Sequence, residues 1–178
     1  YNFKNKLNTN LKKQIMNLDF SFLQDFISQS KKEQSQKTSK YKNYWEIFPN
    51  LNIKVSFGHG AFAKVTWISF LGDENITSKG IYPVYLHYKE QKKIVLALGI
   101  SEQEKSLIKW PEFIYDNYIT IEDYLEEKIY GNSFVYKVYD DNLNSDDLFD
   151  LKFDLISLLS FYEKILNDEL LDEEDWQT

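Results

Sequence analysis

The stretch "VSFGHGAFAKVTWISFL", Val55 to Leu71, decides the fold because it admits two incompatible readings. In one, a strand feeds a glycine loop and then a helix, and the loop's backbone cradles a phosphate. In the other, the glycines join two antiparallel strands. A Walker-type loop requires G-x-x-x-x-G-K-[ST]. Gly58 and Lys64 fit, but Ala63 stands at the second glycine and Val65 at the hydroxyl, so the usual magnesium ligand is missing. The dinucleotide pattern G-x-G-x-x-G fails at the same Ala63. Both motifs also need a helix N-terminus facing the phosphates. "KVTWISFL", Lys64 to Leu71, is instead rich in β-branched and aromatic residues, the composition of a strand. The strand–turn–strand reading prevails. Gly58 and Gly60 can take positive φ at little cost, and His59 between them projects from a loop framed by Phe57 and Phe62. An ordinary glycine turn with an incidental histidine accounts for that spacing. A projecting planar ring on a lysine-flanked loop also suits insertion into a base stack.

Outward from this hairpin the same pattern continues. Ile53, Val55 and Phe57 alternate with polar residues, and "IYPVYLHY", Ile81 to Tyr88, is a third strand. Pro83 must lie near that strand's start or at a sheet edge. "GDENITSKG", Gly72 to Gly80, is the loop before it, and "YKEQKKI" turns into "VLALGI" to make a second hairpin. "SFVYKVY", Ser133 to Tyr139, is a fifth strand. Helical spacing appears at Phe3, Leu7, Leu11 and Ile15, and again at Leu23, Phe26 and Ile27 with Asp19 or Ser21 as caps. Ser30 to Asn43 is polar, lysine-rich and without period, hence a loop. Thr120 to Asp123 resembles a capping box opening a helix through about Lys128. The Ser145 hydroxyl, with Asp146 and Asp147 opposing the dipole, opens a last helix through "LFDLKFDLISLLSFYEKIL" that is apolar on much of its circumference. The expected fold is α+β, a largely antiparallel sheet of about five strands flanked by N-terminal and C-terminal helices.

At 178 residues with 43% hydrophobic content the chain can bury a real core and reads as one domain. No apolar run is long enough to span a bilayer and no leader pattern opens the chain, so the expectation is a cytoplasmic protein. The absence of cysteine excludes disulfides and thiolate chemistry, and two histidines leave a metal centre unexpected. The net charge of −7 is unevenly held: residues 1–109 carry 17 lysines against 9 acids, residues 110–178 carry 4 against 19. A basic surface for a polyanion and an acidic remainder are compatible with that split, as are solvated charges of a lysine-rich chain. No arginine is present, so phosphate contacts would be point charges rather than bidentate forks.

Four ordered blocks carry a resemblance. They are S-F-G-x-G-x-F at Ser56–Phe62, W-x-x-F-L-G at Trp67–Gly72, G-I-Y-P-V at Gly80–Val84 and L-x-x-G-I-S at Leu96–Ser101. Weaker similarity continues through "YGNSF" at Tyr130–Phe134. Together they resemble the N-terminal DNA-binding domain of the McrB subunit of McrBC modification-dependent restriction systems. The resemblance implies a non-catalytic reader of methylated cytosine in duplex DNA that works by base flipping. It implies that His59, between Gly58 and Gly60, fills the space left by the extruded base, where a compared family member has tyrosine. It also implies a base pocket of Trp67, Tyr82 and Leu86. Thr66 stands where that family member has proline before the tryptophan. On a strand, Tyr82, Val84 and Leu86 share one face, so a ring pair and an aliphatic wall are sterically reasonable. As plain core residues they would serve equally well. Lys40, Lys42, Lys54, Lys64 and Lys79 flank these blocks and are the candidate phosphate contacts. The shared region corresponds to residues 19–168, with a helical extension at 1–18 and an acidic tail at 169–178. No cofactor is implied. The partners implied are duplex DNA containing modified cytosine, an AAA+ GTPase motor and a nuclease subunit.

Two rivals stand beside this reading. An aromatic cavity and an acidic half also suit a protein-interaction module of a defence complex, which would not need its lysines on the pocket side. A hydrolase using Asp140 and Asp141 is disfavoured, because adjacent strand residues point to opposite faces.

Overall fold

The structure, a computed structural model, describes residues 17–46, 51–72, 81–100 and 112–166. Outside these residues lie the Phe3–Ile15 stripe, most of the Gly72–Gly80 loop with Lys79, and the acidic tail. The described chain contains five strands: β1 Asn52–Ser56, β2 Val65–Leu71, β3 Ile81–Tyr88, β4 Lys93–Ile100 and β5 Phe134–Asp140. They form one sheet in sequence order, and every neighbour pair is antiparallel. The helices are α1 Ser21–Lys32, a 3₁₀ segment Ser39–Glu46, α2 Glu112–Asn117, α3 Ile121–Leu125 and α4 Ser145–Leu166. The α+β expectation holds. Pro83 is the third residue of β3, opposite Leu98 and just beyond the last β2–β3 pair of Ser69 with Val84. Its missing N–H therefore costs the sheet little.

Both faces of the sheet are covered, which is why β3 and β4 are nearly continuous in apolar residues. One face presents Ile53, Ile68, Phe70, Tyr85 and Leu96 to Phe22, Leu23 and Phe26 of α1 and to Leu151, Leu155 and Leu158 of α4. The Tyr85 hydroxyl donates to the Leu151 carbonyl at 2.9 Å, and Tyr139 donates to the Asp154 carboxylate, fastening α4 at two points. The opposite face presents Val65, Val84, Leu86 and Val95 to Ile121 of α3 and to the turn after it. Trp67 and Tyr82 sit half-buried at the margin of this second cluster.

Local chemistry moves several boundaries. The Asp19 carboxylate accepts the Ser21 N–H at 2.9 Å, whereas the Ser21 hydroxyl pairs with Tyr44 instead. That backbone N–H holds Asp19 below the usual carboxylate range. At α4 the cap is Asn144 rather than Ser145. Asn144 Oδ1 accepts from the Asp147 N–H at 2.9 Å, and Asp147 Oδ2 accepts from the Asn144 N–H at 3.0 Å, a reciprocal capping box. Thr120 caps α3 as expected, accepting the Asp123 N–H at 3.3 Å, but the helix stops at Leu125 because Glu126 turns left-handed at φ 57°. The segment read as loop from Ser30 is helical through Lys32, and Ser39–Glu46 is 3₁₀.

That extension of α1 exists because Ser30 is buried and paired. Its hydroxyl lies 2.6 Å from Thr66 Oγ1 and 2.7 Å from His87 Nδ1, and His87 Nε2 lies 3.0 Å from Asp141 Oδ2. Lys31 Nζ lies 3.5 Å from Asp141 Oδ1 and donates to the Asp141 carbonyl at 2.8 Å. The composition is that of a serine–histidine–aspartate triad, but Ser30 and His87 are wholly inaccessible, so no scissile bond can reach the hydroxyl. The chain is a clamp joining α1, β2, β3 and the end of β5. Asp140, by contrast, points away to Lys93. The two aspartates are thus engaged separately, which removes the paired-carboxylate hydrolase.

The clamp sets an acid sensitivity. Burial holds the His87 imidazole below its ordinary value, with nearby Lys31 and Lys89 adding to this and Asp141 opposing it. The unfolded chain therefore takes up this proton first, near pH 6.5, and stability is lost as pH falls from there through the folded value. Burial alone would raise Asp141, but its bond to His87 and the Lys31 ammonium outweigh this and keep it low. A second loss follows below pH 3.8. Urea unfolding between pH 7 and 5 is expected to show falling stability in the wild type and a flatter profile in His87→Asn, although that variant starts less stable.

Candidate functional site

Phe57 anchors the glycine loop. It is 1% exposed and stacks on Phe26 with centroids 5.6 Å apart and a 29° interplanar angle. The Ala63 N–H donates to the Phe57 carbonyl at 2.9 Å and closes the loop behind it. Gly58 has φ 113°, and a Cβ there would lie 2.2 Å from the Ala61 carbonyl oxygen and 2.7 Å from the Ala63 nitrogen. Only glycine fits. Gly60 has φ 75° but open space around it, so its requirement is conformational rather than steric. Between them His59 is exposed. A buried aromatic on one side and two glycines thus hold out a ring that has no packing role of its own. Phe62, on the far side, is half-buried beneath the Lys89 ammonium, 5.8 Å from its ring centroid.

The residues proposed as a pocket share one face of the sheet. Trp67 is directly opposite Leu86 in the β2–β3 register, and Tyr82 lies four residues before Leu86 on β3. Tyr82 pairs with Gly99 across β3–β4, and a Cβ on Gly99 would come within 3.0 Å of both the Tyr82 ring and Val84. The tyrosine ring therefore rests over the space this glycine leaves. Leu86 is only 2% exposed and is a floor rather than an open wall, whereas both rings are half-buried. The Trp67 Nε1–H donates to the Tyr130 hydroxyl at 3.1 Å. Sequence reasoning assigned no role to Gly99, inside the fourth block, or to Tyr130, at the head of the weaker similarity that follows.

An open cleft of about 570 Å³ lies beside these residues, against the β1 edge of the sheet. Its lining includes Tyr41, Lys42, Lys54, Ser56, His59 and Trp67. The structure thus brings together the loop histidine, one of the proposed pocket residues and two of the proposed phosphate lysines. Tyr82 and Leu86 do not line it. Lys40 adjoins it, its ammonium 5.3 Å from the centroid of the Tyr41 ring. Lys64 is exposed beyond the loop and lies towards Glu127. Glu127 is held below its usual range by the Ile129 N–H, by Gln91 and, more weakly, by this lysine. Among the described residues, no group of three or more acidic, histidine or cysteine side chains is placed to hold a metal ion. No helix among them is long and apolar enough to cross a membrane.

Comparison with known proteins agrees with the blocks. The chain is similar to the "Type IV methyl-directed restriction enzyme EcoKMcrB subunit" of Escherichia coli (strain K12), with 38% identity over 119 residues. That alignment covers 64% of this chain and 25% of the relative, so the chain spans about a quarter of that protein's length. Residues 6–112, more than half of the chain, match the family described as MrcB-like, N-terminal domain. The chain belongs to that family.

Proposed function

We propose that this chain is a non-catalytic DNA-recognition domain that flips methylated cytosine out of the duplex, the specificity module of a restriction system. The observation that carries the reading is the shared cleft: an exposed ring on a glycine-built loop, a tryptophan and two lysines converge on one side of the molecule. In this reading His59 enters the duplex, Gly58 and Gly60 shape its loop, and Trp67 and Tyr82 stack on the extruded base above Leu86. Flipping costs a few kcal/mol, and aromatic stacking returns about 1–3 kcal/mol per base, so wedge and pocket must act together. Lys42 and Lys54 neutralise phosphates at the cleft, with Lys40 and Lys64 as outlying contacts and Lys79 as a further phosphate candidate. The recognition domain spans residues 19–168, with residues 1–18 and 169–178 as extensions. It works in the cytoplasm beside an AAA+ GTPase motor and a nuclease subunit. The name of the methyl-directed relative supports a modified-DNA substrate.

The test is duplex binding with plain, 5-methyl and 4-methyl cytosine over a salt series. Tighter binding of a methylated form is expected, with affinity falling linearly on a log–log salt plot, by about one unit of slope per neutralised phosphate. Equal affinity for all duplexes removes the modification reader, and a flat salt response removes the phosphate contacts. A protein-interaction reading draws on Tyr115, Ile119 and Tyr124, which are 55%, 44% and 50% exposed on and between α2 and α3. None of them lines the cleft, so a contact there would accompany DNA binding rather than replace it.

A further inference from the structure

We propose that Tyr130 is a positioning residue that commits the Trp67 indole N–H, so that this indole meets its ligand through its face alone. An indole has a single polar donor and no acceptor. In the free protein that donor is already spent on the Tyr130 hydroxyl, 3.1 Å away. What remains to meet a planar ligand is the π-face, which does not distinguish one base from another.

Tyr130 holds this position because the turn that carries it is over-determined. The turn begins and nearly ends on left-handed residues, Glu126 at φ 57° and Tyr130 itself at φ 56°. Non-glycine residues keep such conformations only where the surroundings insist. Here they do. The Tyr88 hydroxyl donates to the Ile129 carbonyl at 2.7 Å, and the Glu122 N–H donates to the Gly131 carbonyl at 3.0 Å. Glu127 accepts from the Ile129 N–H at 3.2 Å and from Gln91 at 3.1 Å. The Ser133 N–H closes onto the Tyr130 carbonyl at 3.1 Å, and a Cβ on Gly131 would press within 2.9 Å of the Glu127 carbonyl oxygen. The bonds from Tyr88, Gln91 and Glu122 run from β3, the β3–β4 turn and α3, so the backbone that carries the phenol is fixed by three elements that the cleft does not touch.

The inference rests on the reading of Trp67 as a base platform, but its first test needs no DNA. In ¹⁵N spectra, with Trp67→Phe used to assign the signal, the Trp67 indole N–H of the wild type is expected to be protected from solvent exchange. In Tyr130→Phe the same signal shifts and exchanges at least about tenfold faster. Methylated-duplex binding by Tyr130→Phe then weakens by roughly three- to tenfold as the indole loses its fixed orientation, while plain-duplex binding is unchanged and the melting temperature falls by only about 2–4 °C, the loss of one net hydrogen bond. An indole N–H exchanging freely in the wild type overturns the inference even if the variant does not fold. So does a Tyr130→Phe protein that binds the methylated duplex like the wild type. A wild type blind to methylation instead overturns the flipping reading, and the exchange measurement still decides the role of Tyr130.

Discussion

Trp67→Ala is expected to weaken binding to a methylated duplex by roughly 5- to 150-fold, the equivalent of about 1–3 kcal/mol of lost base stacking. The residue sits on β2 opposite Leu86 at the margin of the second core cluster, with part of its ring exposed, so its loss trims that margin. The fully buried residues of the same face, Val95 and Ala97 among them, remain in place beneath it. The variant should therefore fold, with a lowered but cooperative melting transition. Plain-duplex affinity, which depends on the lysines, should change little. The comparison of the two duplexes separates loss of the platform from loss of the fold, and equal weakening on both would point to a structural role only.

The second large effect is expected at Gly58. Alanine there must place a Cβ 2.2 Å from the Ala61 carbonyl oxygen at a φ of 113°. Backbone strain of about 1–3 kcal/mol and overpacking of a similar size predict a loss of roughly 2–6 kcal/mol. The loop can escape only by breaking the Ala63-to-Phe57 hydrogen bond that closes it, which would swing His59 off its station. Gly60→Ala meets no atom within 4 Å and bears only the left-handed penalty, about 1–2 kcal/mol. Chemical denaturation of the two variants should reproduce that order. DNA binding should fail in Gly58→Ala even at temperatures where the protein remains folded. Equal effects at the two glycines would mean that the loop is held by its φ angles alone.

These expectations show which parts of the molecule the sequence discloses. The strands were legible because period-two alternation and β-branched residues are local signals, and the phosphate-loop reading fell to two mismatched residues and a strand-like sequel. Polar burial was not legible. Ser30, Thr66, His87 and Asp141 are polar in any hydropathy pattern, and only their mutual distances reveal that they fill the space between α1 and the sheet. The same blindness turned the end of α1 into a loop and gave the α4 cap to Ser145 rather than Asn144, since both flank the boundary and differ only in side-chain reach. At the site, strand periodicity placed Tyr82 and Leu86 on one face. It could not show that Leu86 lies beneath the surface, nor that Tyr130 reaches Trp67 across 63 positions of chain.

The most direct measurement is a crystal structure of the domain on a duplex bearing one methylated cytosine. The account predicts that cytosine outside the helix with its ring against the faces of Trp67 and Tyr82, and His59 occupying the gap beside the orphaned guanine. A methylated cytosine still stacked and paired, with His59 outside the duplex, would contradict it.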